Sequence, residues 1–247
     1  MRQPLYRQVA AQIIEQIEDG RLGEPAKLPS EADLARRYGV SRPTLREALG
    51  ALEREGFIAK VHGIGTFVRR RAAIIETGLE NFESYTDTIR RQGHKAEDRV
   101  LEVTEGPLSQ FGLEKYGTPD AKAISIESLR LADGKPVIFC QDVLLPRYAS
   151  HTTPDDVLAA RSQVESMLEY LQPDRDCQLS HAQLSVRAVP APDEVAERLE
   201  LIPGFPVLCL TGPSFDVQGN LVYYSRNYFD TDIYAFSFVR RRKDGRL

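Results

Sequence analysis

The chain has 247 residues, 42% of them apolar and 28% charged, the balance of an ordinary soluble globular protein and a length that predicts two separately packed domains. No apolar run approaches membrane-spanning length, and the opening MRQPLYRQVAAQ lacks the apolar core of a secretion signal, so a cytoplasmic protein is expected. The net charge of -4 is unevenly spread: residues 1–71 carry thirteen Lys and Arg against nine Asp and Glu, and the remainder nineteen against twenty-seven. A basic first part thus precedes an acidic second part, and it is local charge that selects partners. Cys140, Cys177 and Cys209 are odd in number and form no CxxC pair, which argues against a disulfide framework or a structural zinc site and for buried free thiols.

In chain order, Leu5, Val9, Ile13 and Ile17 recur every four residues with Ala10 and Ile14 beside them, predicting a core-facing helix that ends near Gly20. The loop RLGEPAKLPS stops it. Ser30 then caps a short helix whose Leu34, Ala35 and Tyr38 face inward and which ends at Gly39. Two residues later Ser41 caps another, with Leu45, Ala48, Leu49 and Leu52 on one face. Two short helices joined by a tight turn make a helix-turn-helix. Arg42 and Arg46, with Thr44 near them, lie away from the leucines at the start of the second helix. A recognition helix carries its DNA contacts there, although two arginines at this spacing also suit a merely solvated face. FIAKVHGIGTFV follows as two short strands around a turn at 62–65 whose glycines permit a tight reversal. No helix with GxGxxG spacing follows, so a dinucleotide site is rejected.

LPSEADLARRYGVSRPTLREALGALEREGFIAKVHGIGTFV resembles the winged helix-turn-helix of the GntR family of transcription repressors, over nearly all of residues 5–68. The resemblance implies that Arg42, Thr44 and Arg46 in the recognition helix, and His62 and Gly63 in the wing, touch operator DNA. Arg36 and Gly65 complete the expected contact set. Pro43 stands where many members have Thr or Ser, which implies one contact fewer.

RRRAAIIETGLEN reads as a linker, placed at 71–81 between a DNA-binding domain at 1–70 and a second domain at 82–247. In the second domain FESYTDTIRRQG predicts a helix stopping at Gly93, DRVLEV a strand, and PLSQFGLEKYG a helix. AISIESLRL and PVIFCQDVLLP flank Asp133-Gly134 as a hairpin. SQVESMLEYL predicts a helix, LSHAQLSVRAV a strand, and APDEVAERLEL a helix with Pro192 in its first turn. PVLCLTG, SFDVQGNLVYYS and IYAFSFVRR complete an antiparallel set, giving an α+β domain.

SLRLADGKPVIFCQDVLLP and YSRNYFDTDIYAFSFVRRR carry a looser resemblance, over roughly residues 75–242, to the UTRA effector-binding domain of the HutC subfamily. That implies the chorismate lyase fold and a small metabolite, often phosphorylated or carboxylated, held between sheet and helices. It implies that Arg130 grips an anionic group; Arg130 shares strand parity with Ile124 and Ile126 and so faces inward, where a guanidinium needs an anionic partner. An internal salt bridge is the alternative. Ser128 stands where sugar-phosphate-binding members have a second arginine. Phe82 and Ser84 match phosphate-contacting positions, with an unfavourable Glu83 between them. Ser166 matches a pocket serine beside Leu168, which replaces a frequent tyrosine. Tyr223 replaces a glutamate that holds sugar hydroxyls, Asn227 and Tyr228 are near it, and His181 lies on an expected pocket strand.

No nucleophile with a base, paired carboxylates or metal-ligand spacing is present, so no enzyme and no cofactor are expected. The alternative, an activity like that of chorismate lyase, rests on fold analogy. Asp155-Asp156 reads as the acidic first turn of a helix. The expected protein is a homodimeric, metabolite-responsive repressor on a near-palindromic operator, released by a small, anionic effector.

Overall fold

The computed structural model describes residues 4–19, 21–22, 27–54, 57–61, 63–68, 75–80, 82–171 and 178–238. The chain divides into two compact units, Met1–Ala73 with Glu200–Gly204, and Ile74–Leu199 with Phe205–Leu247. Among the described residues no helix is long and apolar enough to cross a membrane.

The first unit holds three helices, α1 (Leu5–Glu18), α2 (Glu31–Tyr38) and α3 (Arg42–Arg54), then a hairpin of β1 (Ile58–Val61) and β2 (Gly65–Val68). Each helix buries the stripe its periodicity marks. Val9, Ile13 and Ile17 of α1, Leu34 and Ala35 of α2, and Leu45, Ala48, Leu49 and Leu52 of α3 share one core with Ile58 and Val68 of the hairpin. The Ser30 hydroxyl accepts from the Asp33 amide, and Gly39 ends α2 at φ 65°, a left-handed conformation that costs glycine least. The Ser41 hydroxyl accepts from the Thr44 amide at 3.3 Å, so α3 restarts two residues after α2 stops. In the hairpin Ile58 pairs with Val68 and Val61 with Gly65, and Lys27 bridges to Phe67.

The second unit is built on a seven-stranded antiparallel sheet in the order β4 (Ala96–Pro107), β5 (Lys122–Ala132), β6 (Lys135–Leu144), β10 (Leu221–Asp230), β9 (Pro206–Asp216), with β7 (Leu179–Ala182) and β8 (Ser185–Pro190) both pairing β9. The hairpin joining β5 to β6 turns at Asp133 (φ 52°) and Gly134 (φ 81°), two positive-φ residues as a type I′ turn requires. Ile124 and Ile126 of β5, Leu144 of β6 and Tyr223 of β10 face one way and pack under α6 (Pro154–Arg161) and α7 (Met167–Leu171). The other face carries Glu127, which pairs with Arg198 of α8 (Asp193–Arg198). With both faces covered, β5 and β6 are buried along nearly their whole length, polar residues included. Two further helices, α4 (Tyr85–Arg91) and α5 (Pro146–Ala149), complete the unit.

Four sequence expectations need correction. Ile75–Gly78, inside the stretch read as a linker, is a strand, β3, held parallel to β11 (Tyr234–Ser237); β11 therefore leaves the antiparallel set. Ile75 and Tyr234 are both 1% exposed or less, and their burial drives the pairing. The helix expected over PLSQFGLEKYG is two 3-10 turns, Leu108–Phe111 and Glu114–Tyr116, separated by Gly112 at φ 68°. LSHAQLSVRAV is broken between β7 and β8, because the Gln183 carbonyl passes so close to Gly212 that a Cβ there would sit 1.9 Å from it. Pro192 lies just ahead of α8 as its N-cap rather than within its first turn.

Candidate functional site

In the first unit the start of α3 presents Arg42 and Arg46 to solvent, with Thr44 half-buried between them. The Thr44 hydroxyl lies 2.8 Å from that of Ser41. Arg46 Nε donates to Glu31 at 2.7 Å, which strengthens the hold on its proton and fixes the direction of an otherwise flexible side chain. Arg36 of α2 pairs with Asp33. Arg42 forms no ion pair among the described residues. In the wing Gly63 has φ 77° and Gly65 φ 147°. The Lys27 side chain lies against Gly65, with Cε 2.6 Å from where a Cβ would stand, and so puts a cation beside the hairpin that no sequence motif had placed there. His62 falls outside the described residues.

In the second unit a cleft partly open to solvent lies over the sheet, its space out into the solvent amounting to about 760 Å³. Its floor follows from strand register: Ser128 of β5 stands opposite Cys140 of β6, and Ile126 opposite Asp142, while Asn227 of β10 pairs with Cys140 and Ser225 with Asp142. Directly paired residues share a face, so Ser128, Arg130, Cys140, Asp142, Ser225 and Asn227 all point to this side.

Phe82, Ser84, Arg130, Ser166, Tyr223 and Asn227 line the cavity. Ser84 and Ser166 are also helix caps, their hydroxyls accepting from the Asp87 amide of α4 and the Glu169 amide of α7. Asn227 Nδ2 donates to the Tyr85 hydroxyl at 3.2 Å. Ser128 is fully buried behind the wall and accepts from Arg130 Nη1 at 2.9 Å. Two expected residues lie elsewhere because strand parity turns them away. Tyr228 stacks on Phe139 across the sheet's other face, with ring centroids 6.4 Å apart. His181 is exposed and stacks on Phe215 at 5.0 Å, while its neighbour Ala182 lines the cavity.

The guanidinium expected to await an external anion has a partner within the chain. Arg130 Nη1 donates to Asp98 Oδ1 at 2.6 Å, and Arg161 Nη2 donates to Asp98 Oδ2 at 2.6 Å. All three side chains are 3% exposed or less. Among the described residues Arg130 Nε and two nitrogens of Arg161 keep no acceptor. Glu83 accepts from Thr77, Thr88 and Arg91, which hold its carboxyl below the usual carboxylate range.

Asp142, 5% exposed, also lines the cavity and forms no side-chain hydrogen bond among the described residues. Burial pushes its carboxyl up to about 6, against the pull of Arg130 and Arg161. Burial likewise pushes the Cys140 thiol up to about 12, so it stays protonated, a packing group rather than a nucleophile. Sequence reading missed Asp98, Asp142 and Arg161. The signal for Asp142 was present, a carboxylate at an inward parity position of the apolar strand PVIFCQDVLL.

Residues 5–68 match the family model "Bacterial regulatory proteins, gntR family" and residues 91–235 match the UTRA domain. The chain belongs to the GntR family of bacterial regulators, in its UTRA-bearing, HutC-like branch. Its relatives include the mannosyl-D-glycerate transport/metabolism system repressor MngR of Escherichia coli, 25% identical with 98% of both chains covered. The histidine utilization repressor of Pseudomonas putida is 28% identical over 84% of this chain and 80% of its own. Among solved structures, PhnF from Mycobacterium smegmatis superposes with a TM-score of 0.57 at 20% identity over 95% of this chain and 100% of that one, a likeness of fold. The protein is a DNA-binding transcriptional regulator with an effector domain.

Proposed function

We propose that the chain acts in the cytoplasm as a homodimeric repressor. Two copies of α3 enter successive major grooves of a near-palindromic operator, and a small molecule in the second unit's cavity releases them. The carrying observation is the start of α3, where Arg42 and a pre-oriented Arg46 are exposed on a capped helix, with Thr44 half-buried between them. First-turn side chains of such a helix reach base edges, and backbone amides at its end favour phosphate. Gly63 and Gly65 let the wing backbone approach the duplex, and His62, Arg36 and Lys27 add phosphate contacts.

Dimerisation runs through the second unit. β8 is an edge strand whose residues are nearly all exposed, with Val186 at 44% and Leu184 beside it at 37%, and an open edge invites pairing with an identical one. The protein carries no catalytic role: its relatives are regulators, and its cavity binds rather than transforms.

Footprinting on the promoter upstream of the chain's own gene tests this reading. Two protected half-sites about 34–36 Å apart are expected, lost when Arg42 and Arg46 are both changed to Ala. Ser225→Phe, which fills the cavity floor, is expected to keep the footprint and lose its release by effector. A single asymmetric footprint, or one unchanged in the double variant, would overturn it.

A further inference from the structure

Among the described residues three charged side chains line the cavity, Glu83, Arg130 and Asp142. Two are already matched inside the chain, Glu83 by Arg91 and Arg130 by Asp98. Asp142 has no counter-ion within ion-pairing distance among the described residues, and neighbouring Asn227, 4% exposed, leaves its Oδ1 without a donor. Asp142 and Asn227 lie diagonally on adjacent strands of one face, within reach of a single ligand group. These two groups offer acceptors and call for a donor. The buried Nε of Arg130, on the same face of the sheet, offers a donor and calls for an acceptor.

The overall charge is equally restrictive. Arg130 and Arg161 share one carboxylate, Asp98, so the three carry one surplus positive charge, which an ionised Asp142 balances. A ligand with a net negative charge would leave this buried cluster of side chains negative, and a simple cation would leave it positive, each at a cost.

Resting on the reading of this cavity as the effector site, we propose that it selects a net-uncharged, zwitterionic small molecule. Its protonated nitrogen meets Asp142 and Asn227, and its acidic group meets Arg130. Phosphorylated sugars and simple carboxylates are then poor effectors. The groups around Asp142 are Arg130 of β5, Asp98 of β4, Arg161 of α6, Cys140 of its own strand and Tyr223 of β10. Binding holds Asp142 ionised, so zwitterion affinity falls as the pH drops through about 6.

The test is calorimetric titration of the full chain with two matched series, each sharing one carbon frame: 4-aminobutyrate, butylamine and butyrate; and tyrosine, tyramine and 4-hydroxyphenylpropionate. The expected result is that at least one zwitterion binds about tenfold or more tightly than its cationic and anionic counterparts. In Asp142→Asn, which is isosteric and removes a buried charge, that preference should be lost and the anion should gain at least tenfold over wild type. Failure of both zwitterions to bind, or anions binding wild type as well as they bind the variant, overturns the proposal. Zwitterion binding that depends on Asp142 but leaves the operator complex intact supports the zwitterion site and removes the effector reading on its own.

Discussion

The two units set their arginines in opposite conditions. Arg42 and Arg46 stand in solvent at a helix start, Arg46 with an exposed glutamate partner, where an ion pair contributes little and exchanges readily for a phosphate or a base edge. Arg130 and Arg161 are buried on one shared carboxylate, where neither can let go without stranding a charge. The same side chain is thus an adaptable reader in the first unit and part of the fixed electrostatic frame in the second, against which Asp142 becomes the variable group.

Removing the frame should have the largest effect. Asp98→Ala leaves two buried guanidiniums uncompensated and is expected to cost about 3–5 kcal/mol of stability, read by urea denaturation. A loss near that of a surface pair would mean that water or another carboxylate replaces Asp98.

The exposed arginines should show the converse. Arg46→Ala is expected to weaken operator binding by about 1–3 kcal/mol and leave the urea midpoint unmoved, and Glu31→Gln to produce a smaller loss in the same direction. A shifted midpoint would make Arg46 a structural residue and erase the contrast.

Asp142 sharpens it further. Its carboxyl is raised from an ordinary value of 3.8 to about 6, so between those values the native state binds more protons than the unfolded chain. The stability this group contributes is therefore full below about pH 4 and is lost as the pH rises to about 6. Asp142→Asn should remove that slope and stabilise the ligand-free protein at neutral pH by on the order of 1–3 kcal/mol, measured by denaturation across pH. A variant less stable than wild type at neutral pH would show that the carboxylate has a partner.

Smallest is Ser30→Ala, which deletes the α2 cap and should cost about 1 kcal/mol. It should lower the thermal midpoint of the first unit without altering effector binding.

The same contrast explains what the sequence could reveal. The first unit's proposed contacts sit on one short helix, so periodicity, the Ser41 cap and the placement of Arg42 and Arg46 were legible within a dozen residues. The hairpin at Asp133-Gly134 was legible for the same local reason. The pocket's chemistry joins Arg130 to a carboxylate 32 residues away, and Arg161 to the same carboxylate 63 residues away, separations at which no spacing rule applies. Tyr228 and His181 were misplaced because proximity in sequence says nothing of which side of a strand is covered. β3 stayed hidden in the linker because the fully buried Tyr234 that makes Ile75 worth burying lies at the far end of the chain.

Fluorescence anisotropy of promoter DNA from upstream of the chain's own gene, titrated at one salt concentration with wild type and Arg46→Ala and repeated on a scrambled duplex, tests the account most directly. The expected result is a loss of about 1–3 kcal/mol on the promoter and little change on the scrambled sequence. Equal affinities of both proteins for the promoter would contradict the assignment of α3 as the DNA-reading element.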